Sequence, residues 1–152
     1  MLSKGDPAPW FTADTTDGRT LRWDELKGKI VVLFFFPKAF TFGCDREAAH
    51  FAEVAPEVAA LGGEVLGVSV DDDSTACRFA EQRKVVMLKD RRRRVAEAYG
   101  VPLPIVNRVR RVTYVIDRAG IIRGVFHYEL QFARHADDAL TMVRRLAAGQ
   151  PT

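Results

Sequence analysis

Apolar residues are spaced along the chain in two rhythms. Ile30-Val-Val-Leu-Phe-Phe-Phe36 is an unbroken β-branched and aromatic run, and predicts a strand buried on both faces. Glu64–Val70 alternates and predicts a second strand, and Val85–Leu88 a short third one. Val112–Ile116 and Ile121–Phe126 predict a hairpin across Asp117-Arg-Ala-Gly120. Helical spacing runs from near Gly43 to Leu61 and stops at Gly62-Gly63. Asp71-Asp-Asp-Ser74 offers N-cap residues for a helix through about Lys84. Arg91–Tyr99 predicts a helix stopped by Gly100, and Val101–Arg110, with Pro102 and Pro104, a loop. His135–Leu146 is amphipathic, with Ala139, Leu140, Met142, Val143 and Leu146 on or near one face. At the start of the chain, Phe11–Leu21 predicts a hairpin around Thr16-Asp17-Gly18, and Arg22–Leu26 a helical turn.

The order β-α-β-α-β-α-β-β-α behind an N-terminal β-hairpin predicts an α/β fold: a central mixed sheet flanked by helices on both faces. A two-stranded end after βαβ units is the thioredoxin-like arrangement. With no repeat, low-complexity tract or linker, residues 1–152 are read as a single domain long enough for a sizeable core. Apolar residues make up 47% and charged residues 28%, as in ordinary globular chains. The net charge of +3 is too small to argue for a nucleic-acid partner. Met1–Trp10 is polar and Pro-broken, without the apolar core of a leader. The longest apolar run is far short of the ~20 residues a membrane span needs, so no membrane partner is expected. The cytoplasm is the expected location, where two cysteines are more often catalytic or inert than a structural staple.

Cys44 lies where the central strand gives way to a helix. Free backbone N–H groups and the positive end of the helix dipole converge there and favour a thiolate. The bland alternative is a buried structural thiol. A dithiol oxidoreductase would need Cys-x-x-Cys, but Glu47 stands three residues on. His50, six residues on, is rotated off the helix face that would let it act as a base, so a Cys–His hydrolase is not expected. His50, His127 and His135 lack metal-ligand spacing and are read as surface or satisfied histidines, and no metal or other cofactor is expected. Asp71–Asp73 is explained by capping, and Arg91–Arg94 first by a solvated helix face, with an acidic partner or nucleic acid as the lesser alternative.

Val31–Ala48, with Pro37, Thr41 and Cys44 in a Pro-x-x-x-Thr-x-x-Cys pattern, resembles the active-site segment of peroxiredoxins. Arg111–Gly120 is similar to the segment that carries their active-site arginine. Val125–Tyr128 and Arg134–Leu140 resemble the Q-type, bacterioferritin-comigratory-protein-like branch. The likeness spans Gly5 to Leu146. It implies a thiol peroxidase that reduces hydrogen peroxide and organic hydroperoxides through a Cys44 sulfenic acid. It further implies that Thr41 contacts thiolate and peroxide, that Arg111 supplies a cation, that Pro37 shields the sulfur, and that Glu47 orients the arginine. The N–H groups of Gly43 and Cys44 would face the peroxide oxygens. Phe42 stands where proline is usual and Phe36 where tyrosine is frequent. Phe40 and Phe42 would then form a patch around the pocket, favouring organic hydroperoxides or a partner.

The resemblance leaves recycling with two routes. Ala49 occupies the resolving position of many Q-type members, which closes that route. A second subgroup uses the next helix, where Cys77 lies one turn from the usual position, near Ala80. Cys77 is therefore a possible resolving cysteine, with thioredoxin as reductant; otherwise an external thiol reduces Cys44 directly. The likeness leans to a monomer or weak homodimer. The competing non-enzymatic reading is a peroxide sensor that passes its oxidation to a client without turnover.

Overall fold

The computed structural model describes residues 1–149; the last three residues of the expected domain lie outside the described part. The chain runs β1 (Thr12–Asp14), β2 (Thr20–Arg22), α1 (Trp23–Leu26), β3 (Ile30–Phe35), α2 (Phe42–Ala60), β4 (Gly63–Ser69), α3 (Asp73–Arg83), β5 (Met87–Lys89), α4 (Arg94–Ala98), β6 (Val112–Ile116), β7 (Ile122–His127) and α5 (Phe132–Ala147). β1 and β2 form the expected hairpin, Thr12 opposite Arg22. The main sheet has the order β5-β4-β3-β6-β7, with β3, β4 and β5 parallel and β6 and β7 antiparallel to their neighbours.

β3 is central, and the period-2 geometry of a strand divides its apolar run between two cores. Ile30, Val32, Phe34 and Phe36 join Phe51, Val58, Phe79 and Val143 under α2, α3 and α5. Val31, Leu33 and Phe35 join Trp23, Leu26, Val95, Tyr99 and Tyr114 on the opposite face. An unalternating sequence is therefore what two covered faces require.

Three boundaries depart from the sequence reading. α4 is shorter than Arg91–Tyr99. The buried Asp90 carboxylate accepts the N–H groups of Val95 and Ala96, and Arg93 takes φ 61°, so residues 91–93 form the turn into the helix. α5 begins at Phe132, three residues before His135. The third strand is Met87–Lys89, because Val85 still closes α3 through its N–H bond to the Ala80 carbonyl.

β3 pairs Phe35 with Val112 on β6, and Val112 pairs with His127 on β7. The Pro37–Cys44 turn, Arg111 and the segment after His127 thus leave one end of the sheet together. Among the described residues no helix is long and apolar enough to cross a membrane.

Candidate active site

Cys44 is in the first turn of α2 and only 1% exposed. The first i→i−4 bond of the helix joins Asp45 N–H to the Thr41 carbonyl, so the N–H groups of Gly43 and Cys44 have no intrahelical partner. Arg111, itself 6% exposed, donates from Nη1 to Cys44 Sγ at 3.4 Å and to Glu47 Oε2 at 3.0 Å. Its Nε donates to the Glu129 carbonyl, and its backbone N–H to Glu129 Oε2. The guanidinium also lies 4.8 Å from the centre of the Phe132 ring. Four contacts from three elements fix one cation beside one sulfur. Arg108 is solvent-exposed and Arg110 donates to the Pro102 carbonyl, so neither competes for the site.

Glu47 is fully buried and its Oε1 has no hydrogen-bond partner among the described residues. Burial pushes its pKa up to about 8 against the opposing pull of Arg111. For Arg111, burial works against the charge, but Glu47 and Cys44 outweigh it and hold the guanidinium above its ordinary value. The pair is thus asymmetric: the cation is secured and the carboxylate is not, because one of its oxygens lacks a donor. A protonated Glu47 leaves Arg111 to balance a Cys44 thiolate alone.

Thr41 is the N-cap residue of α2, but its hydroxyl donates to the Lys38 carbonyl at 2.8 Å. It neither caps the helix nor bonds Cys44 Sγ, which corrects the expected thiolate contact. The turn of chain that brings Thr41 back over Lys38 commits the hydroxyl proton and leaves its lone pairs to accept. Pro37 is half-buried at the start of the turn. Phe40 adopts φ 60° with its ring edge-on to Phe79 at 5.1 Å, and Phe42 is 72% exposed at the rim. Ala39 N–H donates to Asp71 Oδ2, which also accepts from Ser69, tying this turn to the end of β4. In the sequence Asp71 read only as part of a cap; Asp72 supplies the cap, bonding Thr75 N–H.

Four contributors escaped the sequence reading. Phe132 packs so closely on Gly43 that a Cβ there would lie 2.4 Å from the ring. Glu129 holds Arg111 at both its backbone N–H and its Nε. His135, read from the sequence as a surface or satisfied histidine, is fully buried: Nδ1 accepts from Thr113 Oγ1 and Nε2 donates to the Tyr128 carbonyl. Burial pushes its pKa down to about 4, so it stays neutral. Thr113 completes this support one strand position beyond Val112 on β6.

Cys77 does not join this cluster. It is half-buried and looks into a groove with Thr16, Asp17 and Lys84, and both cysteines are free thiols. Phe79, two residues on, faces the other way, into the core that holds Phe36 and Cys44.

A profile of the AhpC/TSA family matches residues 4–125. The chain belongs to this family. A chloroplastic peroxiredoxin Q of Populus jackii is 32% identical over 148 residues, 95% of this chain and 70% of the relative. A putative peroxiredoxin bcp of Coxiella burnetii is 37% identical over 134 residues, 82% of this chain and 88% of the relative. The crystal structure of peroxidoxin BcpB from Mycobacterium tuberculosis superimposes with a TM-score of 0.87 at 33% identity, covering 96% of this chain and 99% of that one. The fold is that of the thioredoxin-like peroxiredoxins, and the activity class that goes with it is thiol-dependent peroxidase.

Proposed function

We propose that the peroxidase reaction runs through Cys44, with Arg111 as its electrostatic partner. The observation that carries this reading is the 3.4 Å contact of Arg111 Nη1 with Cys44 Sγ at a buried helix N-terminus. The Cys44 thiolate attacks the distal oxygen of a hydroperoxide, the S–O bond forms and the O–O bond breaks. Sulfur is oxidised by two electrons to the sulfenic acid, and the departing oxygen takes a proton and leaves as water or alcohol. Arg111 and the N–H groups of Gly43 and Cys44 are placed to stabilise charge on the oxygens, and the free lone pairs of Thr41 to accept a hydrogen bond from the peroxide O–H, whose proton passes to the departing oxygen. Glu47 and Glu129 position the arginine. Pro37, Phe40 and Phe42 shape the entrance, whose apolar rim suits organic hydroperoxides as well as hydrogen peroxide.

A thiol then displaces water from the sulfenic acid to form a disulfide, which a second thiol reduces. In this reading the whole chain acts as one domain, in a reducing compartment such as the cytoplasm, as a monomer or weak dimer. Cys77 is the internal candidate for the first thiol, with thioredoxin supplying the rest; its half-buried position leaves it open to exchange. Direct reduction of Cys44 by an external thiol is the second route, favoured by the outward direction of Cys77.

Peroxide consumption coupled to NADPH through thioredoxin reductase and thioredoxin tests the assignment. Cys44→Ser is expected to abolish it, and Cys77→Ser to remove thioredoxin-dependent turnover while leaving the first oxidation. Activity that survives in Cys44→Ser would overturn the reading. Stoichiometric oxidation of Cys44 with no turnover by any thiol would mark a sensor instead.

A further inference from the structure

Seven large apolar side chains stand exposed among the described residues, and five of them gather at one end of the sheet. Phe35, Val68 and Leu88 lie at the same level of β3, β4 and β5, beside Val112 and His127 of β6 and β7. Beyond that level come Phe40 and Phe42, then Arg91–Arg94, then the loop 101–110, then Leu130. In that loop the Leu103 N–H bond to the Arg108 carbonyl and the Pro102–Val109 bridge pinch off a tip, where Ile105 is 94% and Val106 53% exposed. Arg93 donates to the Asn107 carbonyl and so joins the arginine run to this tip.

Six arginines at this end, Arg91–Arg94, Arg108 and Arg110, form no ion pair with a described carboxylate. Arg46 and Arg78 lie over the rings of Phe42 and Phe40. Of the nearby acids, Asp71 accepts from Ser69 and Ala39, Asp90 accepts from α4, and Glu129 bonds Arg111 and His127. Asp72 accepts from Thr75 and lies near Arg91 and Arg78, and Asp14 and Asp73 line the same groove as Arg91, Arg92 and Arg94. In a chain of net charge +3, six arginines without a close ion-pair partner thus stand at the end of the sheet that also carries the site.

We infer that this end docks on an anionic lipid bilayer. Apolar tips on separate loops sink among acyl chains while surrounding guanidinium groups meet phosphates. A second copy of this chain is disfavoured, because two-fold pairing would set the arginine cluster against itself. That no helix among the described residues is long and apolar enough to cross a membrane is a different matter from surface attachment. Docking faces Cys44 toward the membrane, so hydroperoxides of its acyl chains become a substrate class; this last step rests on the peroxidase reading above.

The test is sedimentation with vesicles of equal parts phosphatidylcholine and phosphatidylglycerol, against phosphatidylcholine alone, at low salt. The protein is expected to pellet with the mixed vesicles only. Arg91→Gln/Arg92→Gln/Arg94→Gln is expected to lower partitioning on the order of 100-fold. Ile105→Glu/Val106→Glu is expected to lower it at least ~10-fold. Both variants should keep the wild-type melting temperature and turnover of a water-soluble hydroperoxide. Failure to pellet, equal pelleting with both vesicles, or undiminished pelleting of either variant would overturn the inference. So would a wild-type dimer that Ile105→Glu/Val106→Glu dissociates, or capture of an acidic protein without vesicle binding. Vesicle binding by a chain with no peroxidase activity would uphold the docking and refute the Cys44 reading.

Discussion

Glu47 and His135 lie 3.9 Å apart in full burial, and each is held in its neutral form by that burial. Their effects on stability run in opposite directions. Between pH 4.5 and about 8 the native protein retains a Glu47 proton that the unfolded chain gives up, so stability falls as pH rises through this window. Between pH 6.5 and about 4 the unfolded chain takes up a His135 proton that the native protein refuses, so stability falls as pH drops. The two slopes oppose each other from pH 4.5 to 6.5 and leave Glu47 alone above it. In a Cys44→Ser background, the melting temperature should decline from pH 6.5 to 8. Adding Glu47→Gln should flatten that decline; an unchanged slope would show that Glu47 is ionised throughout. Cys44, Glu47 and Arg111, which the structure brings into contact, were legible in the sequence, the first two because they share one short segment with Pro37 and Thr41 and Arg111 because it abuts a recognisable strand. The direction of the Thr41 hydroxyl was not, since a carbonyl three residues back competes for it. Glu129, Phe132, Thr113 and His135 reach the site only through tertiary packing, and their local sequence carries no mark of it.

At the level of elements, the site is a junction of helix termini. The first turn of α2 carries Cys44, and the first turn of α5 carries Phe132, which seats on Gly43 and under Arg111. Gly43 is required here for close approach. Gly43→Ala adds a methyl group into the Phe132 ring, an overpacking cost of ~1–3 kcal/mol. That exceeds the gain of at most ~1 kcal/mol that alanine brings to a helix. The variant should therefore melt lower, and its oxidation by peroxide should slow as the ring shifts Arg111 from the sulfur. Gly43→Ala/Phe132→Leu should recover stability beyond the sum of the single changes, the signature of direct contact. Additive effects in that cycle would place the ring elsewhere. Element types were readable from periodicity, and α2 and the buried β3 were placed to within a residue or two. α4 was overextended, because nothing in Arg91–Tyr99 announces that Asp90 accepts two helix N–H groups from below.

Across the whole molecule the question is how two thiols on different faces of the structure could meet. At 100° per residue, Cys77 and Phe79 project from nearly opposite sides of α3. Phe79 is locked between Phe36 at 5.5 Å and Phe40 at 5.1 Å, the aromatic wall of the core that holds Cys44. A Cys44–Cys77 disulfide needs Cα atoms within roughly 7 Å, so α3 must release Phe79 and turn before it can form. This opening is within reach because α3 is short and joined to the sheet mainly by Ala76, Phe79 and Ala80. One equivalent of peroxide should remove the mass of two hydrogen atoms from the wild-type chain. Amide exchange across residues 73–83 should rise with it, at least tenfold, and neither change should occur in Cys77→Ser. Phe79→Ala, which loosens the anchor, should speed the mass change without altering the first oxidation of Cys44. A disulfide that forms with α3 still protected would refute this coupling, and a lasting sulfenic acid or mixed disulfide would assign recycling to the external thiol. The sequence already set Cys77 one turn from the usual register, near Ala80; what it did not carry is the rotation of the helix, set by Phe79, that turns the thiol away.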